Sequence, residues 1–393
     1  MKNLFTLLFV LLIVQPGLAQ NLNEPVTIPD FYLEKAIRDY YDRPTGDFYI
    51  SDFEEMTRLV AIGRGITNLE GLQYATNLET LYIDNNEISN VRQLSSLGKL
   101  QTLSLNGNSI ADLTPVAGLT ELKQLSCDRN EISDISMLSG LFNLKGITFN
   151  DNDIDDISAV ANWTKLTHFN MAMNSLVDLT PLRELTDLFG IWIPDNQVRD
   201  VSPLSGLINL NILILADNPV ESVAPLVNLR RVVQLSLSAN EVEDFQPLSV
   251  LDSVGVLTLS DNDISDLSFL SSMKSVEWLD LRSNQLEDIG PIAALPRLKK
   301  LFLSENQIEE ITPLADLQHL RWLTIERNQV TDLSPLEVLQ SLTDLMIYDN
   351  PLDQKSAVNT KTIGALELRK VNVENEAIVI NSIYQMEPSR VLK

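Results

Sequence analysis

Counting in steps of 22 from Asn86 lands on asparagine thirteen times, ending at Asn350, and no insertion or deletion breaks the register. An amide held in one phase inside an apolar frame marks a repeat that stacks on copies of itself. Such a chain buries its core between neighbouring coils rather than around one centre. Its 393 residues therefore need not divide into the several globular domains that length alone suggests.

With n as the ladder asparagine, apolar residues recur at n−8, n−5, n−3, n+2, n+5, n+8 and n+11. In the Asn284 coil these are Val276, Leu279, Leu281, Leu286, Ile289, Ile292 and Leu295. The n−5/n−3 pair alternates with variable residues at n−6, n−4 and n−2, a period of two that predicts a short strand with one buried face. From n+2 onward the spacing is three, which suits 3₁₀ turns better than an α-helix. Asp stands at n+4 in nine coils (Asp112, Asp134, Asp156, Asp178, Asp200, Asp244, Asp266, Asp288 and Asp332) and Glu310 in a tenth. An acid there can accept the backbone N–H groups that open the next turn. Pro at n+7 in eight coils, such as Pro115, Pro181 and Pro313, keeps that turn short. A coil that reverses every 22 residues leaves backbone groups unpaired, and a buried amide carries donors and an acceptor to satisfy them. Stacked asparagines are therefore expected to form a hydrogen-bonded ladder. At about 4.8 Å per strand, thirteen or fourteen coils give a curved rod of about 60–65 Å.

Leu78-x-x-Leu81-x-Ile83-x-x-Asn86-x-Ile88 fits the pattern L-x-x-L-x-L-x-x-N-x-L. Together with Asp at n+4 and Pro-Leu at n+7/n+8, it resembles the internalin-like, 22-residue subclass of bacterial secreted leucine-rich repeat proteins over about residues 59–352. The resemblance implies an α/β right-handed solenoid. Short parallel strands line its concave face, 3₁₀ or other short turns its convex face, and a helical cap its N-terminal end. Internalins often continue into an immunoglobulin-like module and a wall-attachment signal, for which the chain leaves no room after its repeats. Wall anchoring is therefore not expected.

Residues 1–19 read as a secretory signal. Lys2 is the charged start, Leu4 to Val14 the apolar run, and Gly17-Leu18-Ala19 the small-residue cleavage site before Gln20. No later segment is apolar for about 18 residues, so no transmembrane segment is expected, and the mature protein is placed in the periplasm, at the cell surface or outside the cell. Residues 20–58 read as the helical cap. Asp30 starts a helix over 30–42 with Leu33, Ala36, Ile37, Tyr40 and Tyr41 on one face, and Ser51-Asp52-Phe53-Glu54 forms a capping box for a second. A degenerate coil follows, with Leu59, Ala61 and Ile66 in core phase and Arg64 in place of the asparagine. Residues 353–393 read as a C-terminal cap and tail.

A net charge of −25 excludes the basic footprint of a nucleic-acid binder. Cys127 falls at n−3 and Trp163 at n+11, both core positions. The thiol is read as a small buried hydrophobe, with a reactive thiol as the alternative. His168 and His319, the two histidines, stand too far apart to share a metal. Asp151, Asp153, Asp155 and Asp156 resemble the start of a calcium loop. Asp156 stands where that loop needs Gly and Asn162 where it needs Glu, so a strand-exit loop is the expected reading, with incidental calcium binding as the alternative. No Ser-His-Asp or Cys-His constellation is present. Neither an enzyme nor a cofactor is expected.

Function is left to the variable strand-face positions. Most carry small or polar residues, such as Thr102, Ser104 and Asn106. Toward the C-terminal end the pattern changes. Trp278 and Trp322 share the n−6 column with Lys300 between them. Phe302, Met346 and Tyr348 occupy adjacent columns, and Asp280, Arg282, Glu326 and Arg327 add charge. An aromatic patch rimmed by charge is what a protein-binding hot spot looks like, with Lys300 placed for a cation–π contact. The competing reading is that these residues pack on one another or on the C-terminal tail. Trp192, Ile212 and Ile214, with Met173 at the edge, form a smaller apolar stretch. The expected function is non-catalytic recognition of a protein or peptide ligand, with a glycan as a further possibility. The runner-up is a self-assembling extracytoplasmic subunit or adhesin, and the repeat pattern leaves the oligomeric state open.

Overall fold

The computed structural model describes residues 24–352 and 356–374. The signal segment 1–19 and the tail from 375 onward lie outside the described residues.

Fifteen parallel strands, from Arg58–Val60 to Asn372–Glu374, form one sheet in which every strand lies beside its sequence neighbours. Each coil shifts the register by one repeat, so Trp278 pairs with Lys300, Lys300 with Trp322, and Trp322 with Asp344. Side chains at n−6, n−4 and n−2 thus run as three straight columns on one face, while n−5 and n−3 point into the core. The opposite wall is a stack of 3₁₀ segments such as Gly290–Ala294 and Thr312–Asp316. This is the leucine-rich repeat solenoid that the spacing predicts.

The asparagine ladder is stitched through the backbone rather than from amide to amide. Asn196 shows the pattern. Its Nδ2 donates to the carbonyls of Ile193 and Pro194 in its own coil and of Met171 in the preceding one, while its Oδ1 accepts from Leu176 N. Asn262 departs from it, because its Oδ1 accepts instead from Asn240 N, at 3.3 Å. To turn the asparagine inward, each preceding residue from Asn85 to Asp349 takes a left-handed conformation, with φ between 52° and 62°. Short polar residues tolerate that region best, which explains the aspartates at Asp151, Asp195, Asp217, Asp261 and Asp349.

All nine n+4 aspartates accept the backbone N–H two residues on, as Asp288 does from Gly290 at 2.7 Å. Glu310, expected to do the same, instead reaches only the Thr312 hydroxyl, at 3.4 Å. Its extra methylene carries the carboxylate past the N–H.

A second ladder, unforeseen from the spacing, runs up the n−2 column of the first coils. Asp84 Oδ1 accepts from Asn106 N, Asn106 Oδ1 from Asp128 N, Asp128 Oδ1 from Asn150 N, and Asn150 Oδ1 from Ala172 N, all at 2.7–2.9 Å. It ends where acceptor and donor vanish together, since Ala172 has no side-chain oxygen and Pro194 in the next coil has no N–H.

At the N-terminal end, helix α1 (Phe31–Tyr41) is capped by Asp30, whose Oδ1 accepts from Tyr32 N and Leu33 N. Its Oδ2 accepts from Thr67 N, Thr67 Oγ1 and Asn68 N, so one carboxylate both caps the helix and fixes it to the first coil. Burial pushes that carboxyl up, but these hydrogen bonds outweigh it and hold it below its ordinary value. Leu33, Ala36 and Ile37 are buried as expected, whereas Tyr40 is 42% exposed. Helix α2 (Ile50–Glu54) begins one residue before the predicted capping box. Asp52 accepts from Tyr49 N, which makes Tyr49 the cap and places Ser51 inside the helix. At the other end, helix α3 (Ala357–Leu368) packs on the last 3₁₀ segment, and its Asn359 bonds Leu333 N and Thr331 O. The strand Asn372–Glu374 then extends the sheet.

Candidate binding surface on the concave face

Each side chain of the aromatic patch is aimed by the register alone. In four successive coils the n−6 column reads Trp278, Lys300, Trp322, Asp344. The n−4 column reads Asp280, Phe302, Thr324, Met346, and the n−2 column Arg282, Ser304, Glu326, Tyr348.

The predicted residues interlock. Lys300 Nζ lies 4.3 Å from the centre of the Trp278 ring. Trp278 packs against Phe302 with ring centres 5.6 Å apart. The Arg282 guanidinium lies 5.5 Å from the centre of the Phe302 ring and is clamped by Asp280 at 2.5 and 2.9 Å. Trp278 and Met346 are covered, with 9% and 8% of their surface exposed, while Trp322, Phe302, Lys300 and Tyr348 stay partly open. The alternative of packing on the tail falls on residues outside those described.

Three polar atoms inside the patch are buried and have no hydrogen-bond partner among the described residues: Trp278 Nε1, Trp322 Nε1 and Glu326 Oε2. Glu326, expected as one of the rim charges, is buried to 3% exposure. Burial pushes its carboxyl above the ordinary glutamate range, against the weaker pull of a hydrogen bond with Ser304 and of Arg282 and Arg327. Each unmet buried polar group costs about 1–3 kcal/mol.

The second stretch has more aromatic character than its apolar residues suggested. Trp192 stacks on His168 with ring centres 6.0 Å apart and planes 9° from parallel, and Phe189 closes on the same histidine at 5.8 Å. Gly190 makes this possible, because a Cβ there would stand 2.3 Å from Trp192 Cη2. Ile212 is mostly covered, Ile214 partly open and Met173 exposed. The sequence signal was there: a glycine at n−6 beside a tryptophan at n−4.

The remaining candidates are scaffold. Cys127 is fully buried, and burial first, then Asp128 and Asp84, push its thiol well above the ordinary range, so it has no reactive character. Trp163 is buried and donates to Leu138 O. Asp151 is one of the left-handed residues and Asp156 one of the n+4 caps. Among the described residues no cluster of three His, Cys, Asp or Glu side chains suits a metal ion, and no helix is long and apolar enough to cross a membrane.

The family model for leucine-rich repeats (two copies) matches residues 98–140 and 274–316. No curated protein matches the chain. Among solved structures, the chain is similar to an internalin (inlF) of Listeria monocytogenes, with 30% identity over 81% of this chain and 95% of that one, and a TM-score of 0.79. A leucine-rich repeat protein of Leptospira interrogans shares the fold at 18% identity, over 83% of this chain and 97% of that one, with a TM-score of 0.71. So does a plant peptide hormone receptor in complex with RGF2, at 17% identity over 78% and 61%, with a TM-score of 0.59.

Proposed function

Since the chain belongs to the internalin family of leucine-rich repeat proteins, we propose that it is an exported, non-catalytic recognition protein that holds a protein or peptide ligand on its concave face. Trp278, Lys300, Phe302, Trp322, Met346 and Tyr348 form the main contact, and Trp192 and Ile214 a second one. The observation that carries this reading is the group of partly open side chains, Lys300, Phe302, Trp322 and Tyr348, that the strand register brings together on one face. Aromatic rings and a cation left partly open on one face, with charge around them, are the kind of anchor that protein interfaces use. The patch is a surface of three columns rather than a cleft, which suits a macromolecule better than a small molecule. The plant receptor carries a bound peptide hormone on the same fold, a precedent for the ligand class. Export is supported by Lys2, the apolar run from Leu4 to Val14, and Gly17-Leu18-Ala19.

The test is a quantitative pull-down with mature protein, comparing wild type with the Trp278→Ala/Trp322→Ala variant after both are matched for urea midpoint. Loss of at least about tenfold of a specific partner on the variant is expected, since interface tryptophans carry a large share of binding energy. Equal recovery of that partner would remove the patch from the function. If self-association took the place of a partner, light scattering of the purified chain would reveal it.

A further inference from the structure

The charges along the lip of the concave face divide into two kinds. The left-handed residue before each ladder asparagine sits where the strand leaves that face. Toward the C-terminal end this column neutralises itself, with Arg327 pairing with Glu305 and with Asp349. Between the two aromatic clusters it does not. Asp195, Asp217 and Asp261 are exposed and form no ion pair or side-chain hydrogen bond among the described residues. Partial burial, and then the charges of Asp195 and Asp261, hold the Asp217 carboxyl above its ordinary value. The repeat is able to place arginine in this column, as Arg129 and Arg327 show, yet leaves these three carboxylates bare.

The floor beside them is low. Ser236 and Thr258 are buried, with the Thr258 hydroxyl donating to Ser236 Oγ at 2.7 Å, and Gln234 is covered as well. The aromatic side chains of Trp192 at one end and Trp278 at the other bound this trough. Their strands are four apart in the sheet, hence about 19 Å at 4.8 Å per strand, the reach of about six residues of extended chain.

We infer that the ligand is a basic, extended peptide segment running lengthwise along the trough, with apolar side chains about six residues apart on the Trp192 and Trp278 clusters and Lys or Arg side chains against Asp195, Asp217 and Asp261. The inference rests on the reading of the Trp278–Tyr348 patch as the contact surface and adds the chemistry, direction and length of what binds there. Charge complementarity of this kind favours a cationic partner and disfavours acidic ones.

The experiment pans a phage-displayed library of random dodecapeptides against the full chain, then measures binding of the enriched sequences as synthetic peptides. Enrichment of Lys and Arg is expected, with two apolar or aromatic residues five to seven positions apart. Binding should weaken about tenfold on the combined Asp195→Asn, Asp217→Asn and Asp261→Asn variant, as three partly exposed ion pairs are lost, and should weaken with added salt. Failure to enrich any sequence, enrichment without a basic excess, or binding within twofold on the triple variant would each overturn the inference. Peptides lost on Trp278→Ala/Trp322→Ala but indifferent to the triple variant refute the basic segment and leave the patch standing. Peptides indifferent to both sets refute both.

Discussion

Lys300 Nζ sits 4.3 Å from the centre of the Trp278 ring, one coil away in the same column, and so supplies the cation of a cation–π pair from within the patch. Together with Phe302 it shields an indole that the strand register would otherwise present to solvent. Lys300→Ala is expected to cost about 0.5–1 kcal/mol and to shift tryptophan emission to longer wavelength, while Lys300→Arg keeps both properties. Urea denaturation followed by fluorescence checks this. An unchanged emission spectrum in Lys300→Ala would mean that the pair does not shield the ring.

Asn196 bonds three carbonyls and one N–H from a site 2% exposed. Asn196→Leu fills the volume but leaves those backbone groups unmet, so a loss of about 3–5 kcal/mol is expected. Its Oδ1 and Nδ2 both reach the preceding coil, and hydrogen exchange should therefore quicken in residues 171–176 as well as in its own coil. A loss below about 1 kcal/mol would show the ladder to be ornamental.

Ala239 adopts φ 52° before Asn240, a region that costs a residue with a Cβ about 1 kcal/mol. Ala239→Gly should therefore stabilise the protein by about 0.5–1 kcal/mol, an unusual direction for a glycine substitution. Gly107→Ala, at φ 62°, should do the opposite by a similar amount, with the exposed Asn85 side chain moving aside for the new Cβ. Thermal unfolding of the two variants side by side checks the signs.

Glu326 has a folded-state value raised by burial. The folded protein therefore holds this proton more tightly than the unfolded chain. The stability this contributes is fully present below the ordinary glutamate value and is lost as pH rises through the raised one. Glu326→Gln should accordingly be more stable than wild type by about 1 kcal/mol near pH 8 and indistinguishable from it near pH 4. Urea midpoints at the two pH values decide the matter, and a difference of equal size at both would assign the effect to packing.

Much of the fold was legible because a strict 22-residue register turns a linear pattern into three-dimensional columns. The strand, the 3₁₀ wall, the n+4 caps, Cys127 and Trp163 all follow from phase. The residues that escaped it depend on geometry that phase does not encode. Whether a carboxylate reaches an N–H separates Asp288 from Glu310 by one methylene. The Asp84–Asn150 ladder arises from side chains that looked merely polar. Tyr49 replaces Ser51 as a cap because Asp52 bonds three residues back. In the candidate site the columns placed Trp278, Lys300 and Phe302 together correctly, but which atoms end up buried without partners follows from how the rings lie. The burial of Glu326 therefore appears only in the structure, whereas the His168–Trp192 stack had a signal in the Gly190–Trp192 pairing.

Hydroxyl-radical footprinting of the ligand complex is the most direct measurement, because tryptophan, methionine, tyrosine and phenylalanine side chains report their own coverage. Protection of the partly open Phe302, Trp322 and Tyr348 on ligand binding, with the exposed Phe142 outside the strand face unchanged, is the expected result. Protection confined to the convex 3₁₀ wall, or none at these three patch residues, would contradict recognition by the concave face.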